Sequence, residues 1–234
     1  MKKIFVAMMS IILVLSLSSC GNKDSNSLAT NENKVITTDE QSEPDTSETD
    51  SKSLVVYFSL PETTDADNMT QEEDNSVVVI DGEVLGNTQY VANVIQENTG
   101  ADIFRIEPKT PYTTDHDALV DLAAEEQAND ARPELLANVE NLEQYDTIFL
   151  GYPNWWGDMP MILYTFLEGI DLSGKTIIPF NTHGGSGFSS TISTIANLQP
   201  NATVNEEGFT VSRNNVQEAE SDIVSWLEGL GYSK

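Results

Sequence analysis

Short apolar runs that alternate with helix patterns restrict most strongly how residues 53–234 can fold. The clearest runs span residues 54–58, 101–106, 147–152 and 176–181, and a weaker one at 202–204 resumes near Phe209. Such near-continuous runs are typical of strands buried on both faces of a parallel sheet. Helix patterns occupy 88–98, 116–129, 159–167, 188–198 and 214–230. The sequence therefore predicts an α/β fold: an open, doubly wound, five-stranded parallel sheet with helices on both faces.

One connection does not fit this alternation, because residues 60–85 separate Ser59 from the helix pattern that follows the first strand. The end of this segment is an apolar run at 76–80, the dipeptide Asp81-Gly82 and a short return at 83–85. Asp-Gly between two apolar runs favours a two-residue hairpin turn. We therefore expect a β-hairpin inserted after the first strand.

The first 20 residues have the pattern of an export signal. Lys2 and Lys3 precede an uncharged apolar run at 4–17, which is too short to span a bilayer comfortably. The run ends in Leu17-Ser18-Ser19-Cys20, which resembles the lipobox of bacterial lipoproteins. The resemblance implies cleavage before Cys20 and a diacylglycerol on its thiol. The alternative is an ordinary signal peptide followed by an unrelated cysteine.

The segment that follows the signal is polar and acidic. Residues 20–52 are rich in Ser, Thr, Asn, Asp and Glu and almost lack large apolar side chains. Such a segment cannot bury enough surface to offset its chain entropy. We predict a signal peptide over 1–19, a lipidated Cys20 with a disordered tether over 20–52, and one folded domain over 53–234. The protein would then be exported and held by its lipid at the outer face of the cytoplasmic membrane.

Charge and cysteine content exclude several function classes. The 38 Asp and Glu residues against 11 Lys and Arg residues give a formal net charge of -27. Nucleic-acid binding depends on cationic side chains that neutralise phosphates, so no nucleic-acid partner is expected. The single cysteine excludes an intramolecular disulfide, a CxxC redox pair and a thiolate metal cluster.

Three loops at predicted strand ends carry candidate binding residues, since ligands of doubly wound sheets bind beyond the carboxyl ends of the strands. Ser59 follows the first strand, and residues 86–90 (Gly-Asn-Thr-Gln-Tyr) start a helix after the predicted hairpin. Hydroxyls and free amides at a helix N-terminus suit a phosphate, although a simple helix cap fits equally well. No lysine or arginine is close to this loop in the sequence, and neither GxxxxGK[ST] nor GxGxxG occurs.

The other two loops follow the third and fourth strands. Residues 153–156 read Pro-Asn-Trp-Trp, and adjacent tryptophans cannot share one helical face, so they suit stacking against a planar ring. We also expect at least one of them to pack inward. Residues 182–187 read Thr-His-Gly-Gly-Ser-Gly, and their glycines allow a ligand to approach the backbone closely, although a flexible turn is an equal alternative.

Together these segments resemble the flavodoxin family, in particular its secreted or lipid-linked bacterial members. The motifs that carry the resemblance are V-V-Y-F-S at 55–59, G-N-T-Q-Y-V-A at 86–92, Y-D-T-I-F-L-G-Y-P-N-W-W at 145–156, G-K-T-I-I-P-F at 174–180 and T-H-G-G-S-G at 182–187. The resemblance implies the strand order 2-1-3-4-5 and non-covalently bound FMN. One departure is that residues 60–85 split the usual short phosphate loop, so its halves meet only if the hairpin closes.

The resemblance also implies which residues bind FMN. The phosphate would be held by Ser59, Gly86, Asn87, Thr88 and Gln89, with Tyr90 as a further cofactor-binding residue. One side of the isoalloxazine would be lined by Pro153, Asn154, Trp155 and Trp156. Its edge would be approached by Thr182, His183, Gly184, Gly185 and Gly187, and His183 is the candidate catalytic proton donor.

The implied function is electron transfer to a redox partner protein or a small electron acceptor. The alternative is an FMN-dependent NAD(P)H:acceptor oxidoreductase of the quinone type, in which Tyr112, Trp155 and Trp156 would line the space for a second ring. A third possibility is a lipoprotein that binds a small ligand without redox chemistry. No metal site is expected, since His116 among aspartates at a helix start is better explained by capping and solvation.

Overall fold

The computed structural model of the protein describes residues 52–232. The predicted signal peptide, Cys20 and all of the predicted tether except Lys52 therefore lie outside the described residues. Lys52 already belongs to the first strand, so this strand begins one residue before the predicted domain boundary. Among residues 52–232, no helix combines the length and the apolar character needed to cross a bilayer.

The described residues form eight strands and six α-helices, and short 3₁₀ turns occupy Leu142–Gln144 and Val216–Glu218. The strands are β1 (Lys52–Tyr57), β2 (Val77–Ile80), β3 (Glu83–Gly86), β4 (Asp102–Arg105), β5 (Tyr145–Pro153), β6 (Thr176–His183), β7 (Thr203–Val204) and β8 (Phe209–Ser212). The helices are α1 (Gln71–Asp74), α2 (Asn87–Thr99), α3 (His116–Ala128), α4 (Met161–Gly169), α5 (Thr191–Leu198) and α6 (Glu220–Leu230).

The main sheet is parallel, with the order β4-β1-β5-β6-β7 and with β8 also paired to β6. Its five positions, counted along the chain, follow the order 2-1-3-4-5, which confirms the predicted fold. Two short strands share the fifth position. Thr203 of β7 pairs with Thr176 at the start of β6, and Phe209 of β8 pairs with Phe180 further along. The weak apolar pattern that stops at 204 and resumes at Phe209 is thereby explained.

Alternation along the central strands sends side chains into two separate cores. Val55 and Phe149 pack with α2 and α6 on one face of the sheet. Val56 and Ile148 pack with α3, α4 and α5 on the other face. Each fully buried side chain of this kind contributes about 1.5–3 kcal/mol of transfer free energy. The helices therefore cover both faces, as the near-continuous apolar runs predicted.

The inserted hairpin forms as predicted. Strands β2 and β3 are antiparallel, and Ile80 pairs with Glu83 across the turn. Asp81 and Gly82 both have positive φ, 51° and 83°, as a type I′ turn requires. Val78 and Leu85 are buried in the core that contains α2, so the hairpin packs against the domain rather than extending from it.

Three helices begin later than the sequence predicted. Helix α4 starts at Met161 instead of residue 159, after Pro160 at its N-cap, because proline fits a helix start but not a helix interior. Helix α5 starts at Thr191 because residues 186–190 form turns, in which the Ser189 amide donates to the Ser186 carbonyl. Helix α6 starts at Glu220 because a 3₁₀ turn precedes it.

Gly151 in the middle of β5 offers a direct test of this packing. A Cβ atom at this position would lie 2.1 Å from the Phe180 ring. We expect Gly151→Ala to lower the free energy of unfolding by about 1–3 kcal/mol, because the ring has to move within a close-packed core. Gly229→Ala in α6 is the matched control, since nothing lies within 4 Å of its added Cβ.

The control should raise the free energy of unfolding by about 0.5–1 kcal/mol, because alanine favours the helix over glycine. Urea denaturation measures both changes. An unchanged midpoint for Gly151→Ala would contradict the described packing of β5 against β6.

Candidate functional site

A cavity of about 340 Å³ opens at the carboxyl ends of β1, β5, β6 and β8. This is the edge of a doubly wound sheet where ligands bind. The inserted segment and the first turns of α2 and α3 complete its walls. The structure brings ten of the predicted site residues together around it: Ser59, Asn87, Thr88, Pro153, Asn154, Trp155, Trp156, Thr182, His183 and Gly184.

Five of the predicted cofactor-binding residues do not line the cavity: Gly86, Gln89, Tyr90, Gly185 and Gly187. Tyr90 is 7% exposed and belongs to the core between α2 and the sheet. Gln89 supports the start of α2, since its Oε1 accepts a hydrogen bond from the Gly86 amide at 3.3 Å. Gly185 and Gly187 shape the loop after β6: the Gly187 carbonyl accepts from the side-chain amide of Asn154, and the Gly185 amide donates to His183.

The two halves of the split phosphate loop meet. The closed hairpin brings Gly86 against Ser59, and a Cβ atom at residue 86 would lie 2.2 Å from Ser59 Oγ. Glycine therefore allows a close approach that no other residue permits without displacing the serine. Ser59 is 4% exposed, so its hydroxyl is enclosed by the insertion and the sheet.

Asn87 is fixed by the inserted segment. Its backbone amide donates to the Ser76 carbonyl at 3.2 Å, and its Nδ2 donates to the Asn75 carbonyl at 2.8 Å. The Asn87 amide is thus already used within the protein. Its Oδ1 is buried and has no hydrogen-bond partner among the described residues. A buried acceptor in this position is satisfied by a donor such as a ligand hydroxyl or a water molecule.

Thr88 joins α2 to the central sheet. It is 1% exposed, and its Oγ1 lies 2.8 Å from Oγ1 of Thr182 at the end of β6. The first turn of a helix also leaves backbone amides without intrahelical partners, and here these include the amides of Thr88 and Gln89. Together with the positive end of the helix dipole, they form a site for an anion.

The two tryptophans take different positions. Trp155 packs inward, with edge-to-face contacts to Phe58 at 5.5 Å and to Tyr112 at 5.9 Å between ring centroids. Trp156 is 60% exposed and has a φ of 53°, and its Nε1 donates to the Val120 carbonyl of α3. The prediction that at least one tryptophan packs inward is confirmed.

The prediction that Tyr112 lines the space for a second ring is wrong, because Tyr112 does not line the cavity. It is buried behind Trp155, and its hydroxyl donates to Glu126 at 3.0 Å. Burial, together with the Glu126 carboxylate, raises the pKa of Tyr112. The proline-flanked position of Tyr112 in the sequence does not reveal this, because Glu126 reaches it from α3.

His183 is the last residue of β6, and its hydrogen bond indicates which ring nitrogen carries the proton. Its Nδ1 accepts a hydrogen bond from the Gly185 amide at 2.8 Å, so the proton of the neutral ring is on Nε2. Burial lowers the pKa of His183 below its ordinary value. The side chain is therefore neutral at pH 7 and offers one N–H donor in the cavity wall.

Two arginines near the site were missed by sequence reasoning. Arg105 ends β4, and its Nη2 donates to the Ser59 carbonyl at 3.0 Å. Arg213 directly follows β8, and its side chain lines the cavity beside Gly184. The sequence pattern could have identified Arg213, because this residue directly follows the last strand of the sheet, just as the other site residues follow the ends of their strands.

The insertion adds an acid–base pair that the sequence did not indicate. His116 Nδ1 lies 2.9 Å from Glu62 Oε2 at the cavity, and the Glu62 side chain is only 9% exposed. Asp115 provides the expected cap of α3 by accepting from the Ala118 amide. The described part of the chain contains no group of three or more metal-ligating side chains.

The lowered pKa of His183 predicts a pH dependence of stability. As pH falls through 6.5, the ordinary value, the unfolded chain binds a proton at this side chain before the folded protein does. The free energy of unfolding should therefore fall until the pH reaches the folded-state pKa. Urea denaturation at pH 7.5 and 5.5 should show a smaller loss for His183→Gln than for the unchanged protein. Equal losses would contradict the lowered pKa.

Comparisons with known proteins agree with the geometry. A family model described as Flavodoxin matches residues 76–230. A candidate flavoprotein from Bacteroides eggerthii is 29% identical and has a TM-score of 0.58, with 77% of this chain and 98% of that chain covered. A second one, from Bacteroides uniformis, is 27% identical with a TM-score of 0.52, and 72% and 96% are covered.

A flavoprotein from Lactobacillus acidophilus, crystallised in complex with FMN, is 19% identical with a TM-score of 0.50, and 72% of this chain and 97% of that chain are covered. This likeness shows the shared fold. A search of curated proteins finds no match. Because the family model spans more than half of the chain and the strand order agrees with it, this protein belongs to the flavodoxin family.

Proposed function

We propose that the cavity binds FMN and that the protein transfers electrons through this cofactor. The observation that carries the proposal is the meeting of Ser59 with the start of α2, which completes a phosphate loop that the sequence splits. The Lactobacillus acidophilus flavoprotein with FMN supports the choice of cofactor, since it shares the fold.

The phosphate fits the anion site at the start of α2. The Ser59 and Thr88 hydroxyls and the free amides of the first helical turn supply uncharged donors. Uncharged donors suit a domain of this composition, because residues 53–234 contain 30 acidic and 6 basic residues. Arg105 adds a cation close to Ser59, since its Nη2 donates to the serine carbonyl at 3.0 Å.

The remaining parts of FMN match the other walls. The unpartnered Oδ1 of Asn87 suits a hydroxyl of the ribityl chain. Trp155 and Pro153 offer apolar surface for the planar ring, and His183 presents its Nε2 proton to the cavity. When bound, FMN supplies the electron-transfer chemistry. The chain holds and orients it, and Trp155, backed by Phe58, excludes water from one side.

The charge of the domain indicates the kind of partner. An excess of 24 acidic residues in 53–234 creates a negative field that attracts positively charged surfaces. We propose a redox partner protein with a basic docking surface, or a small electron acceptor that enters the cavity.

Thr88→Val tests the phosphate site. It removes a buried hydroxyl while keeping the side-chain shape, and the lost hydrogen bond should weaken FMN binding about tenfold. Riboflavin, which lacks the phosphate, should bind both proteins within about twofold. Quenching of flavin fluorescence during titration measures all four affinities.

Thr203→Val is the matched control, because Thr203 is exposed and pairs with the start of β6, at the edge opposite to the cavity. It should leave both affinities unchanged. If Thr88→Val weakened the binding of FMN and of riboflavin equally, the result would contradict the placement of the phosphate. A protein that binds neither flavin would support ligand binding without redox chemistry, and steady oxidation of NADH by the FMN-loaded protein would support the oxidoreductase.

We further propose that the protein is exported and anchored through Cys20. The support is the sequence Leu17-Ser18-Ser19-Cys20 after an apolar run, together with a polar segment long enough to separate the domain from the membrane. A diacylglycerol on Cys20 would carry two acyl chains, which together provide stable attachment.

Cys20→Ala tests the anchor. Expressed in a bacterial host, the unchanged protein should incorporate radiolabelled palmitate and sediment with membranes. The variant should lose the label because it lacks the acceptor thiol. Ser19→Ala keeps both a small residue and the cysteine, so it should behave like the unchanged protein. An unlabelled unchanged protein would contradict the proposal.

A further inference from the structure

Arg213 differs from the other basic residues among 52–232, because its side chain makes no hydrogen bond or ion pair with a described residue. The other five are engaged. Lys52 contacts Gln144, Arg105 contacts Ser59, Lys109 contacts Glu134, Arg132 contacts Asp130 and Glu168, and Lys175 contacts Tyr145. In a domain with 30 acidic residues, a cation without an acidic partner is unexpected.

The position of Arg213 is defined by the end of the sheet. Its backbone amide donates to the His183 carbonyl at 2.8 Å, which continues the pairing of β8 with β6. Its guanidinium lies beside the backbone of Gly184, and a Cβ atom there would be 3.5 Å from Arg213 Cζ. The side chain thus reaches the cavity over the glycine-rich loop.

We propose that Arg213 faces the edge of the flavin ring and raises the reduction potential of the bound cofactor. This inference rests on the proposed binding of FMN. Uptake of two electrons and one proton leaves one net negative charge on the ring. A guanidinium near that charge favours the reduced form over the oxidised form, whereas the acidic residues of the domain favour the oxidised form.

The geometry favours the ring edge over the phosphate as the group that Arg213 contacts. The proposed phosphate site is at the start of α2, beside Ser59, which follows β1. Arg213 is on the other side of β6, at the outer position of the sheet, next to the loop that contains His183 and Gly184. Glu62 and His116 also line the cavity, and they are paired with each other at 2.9 Å rather than with Arg213.

The test compares the Arg213→Gln variant with the unchanged protein, both at full length and both loaded with FMN. Redox titration with dithionite, an external electron donor, gives the midpoint potential of each. In Arg213→Gln we expect the affinity for reduced FMN to fall about tenfold relative to the affinity for oxidised FMN. This change corresponds to a fall of about 30 mV in the midpoint potential of the two-electron couple. Arg213→Lys should retain most of the potential because it keeps the charge. The effect should shrink at high salt, since Arg213 is exposed.

Lys52→Gln is the matched control for total charge. It removes one cation at the start of β1, at the opposite end of the parallel strands, where among residues 52–232 the Lys52 side chain hydrogen-bonds to Gln144 alone. Its potential should equal that of the unchanged protein. An equal fall in Lys52→Gln would show an effect of net charge and would overturn the inference.

Flavin affinity separates the remaining outcomes. Arg213→Gln should weaken the binding of oxidised FMN and of oxidised riboflavin by the same small factor. Weaker binding of FMN alone would place Arg213 at the phosphate and overturn the inference. An unchanged potential in a variant that binds FMN normally would also overturn it. Failure of the unchanged protein to bind FMN would instead refute the proposed function.

Discussion

The close approach of Gly86 to Ser59 is the contact on which the site depends. Ser59 directly follows the first strand, whereas Gly86 is separated from it by the 26 residues of 60–85, whose folded conformation brings the two together. The type I′ turn at Asp81-Gly82 sets the register of the hairpin, and Val78 and Leu85 bury its inner face. A one-residue slip would turn these apolar side chains outward, so core packing and site assembly are specified together.

The acidic charge of the domain explains why the proposed phosphate site uses mainly uncharged hydrogen-bond donors. A domain with 24 excess acidic residues can hold an anion only where positive potential is local. The start of α2 supplies it through backbone amides, hydroxyls and the positive end of the helix dipole. The Arg105 contact to the Ser59 carbonyl adds a cation close to this anion site. Arg213, without an acidic partner among the described residues, is beside the loop after β6.

The sequence predicted features whose causes are local. Apolar runs mark the buried strands, and Asp81-Gly82 marks the hairpin because only a few residues accept its positive φ angles. It could not predict contacts between distant segments. Glu62 meets His116 only through the folded insertion, and the Tyr112 hydroxyl bonds to Glu126 of α3 while Tyr112 does not line the cavity. The unpartnered Oδ1 of Asn87 likewise depends on Asn75 and on the closure of the hairpin.

A crystal structure of the FMN-bound protein would show whether the folded insertion completes the phosphate site. We expect the phosphate at the start of α2, within hydrogen-bond distance of Ser59 Oγ and of the Thr88 amide, with the inserted hairpin closed against β1. A phosphate bound elsewhere, or a hairpin displaced from Ser59 when FMN is present, would contradict the assembly of the site by residues 60–86.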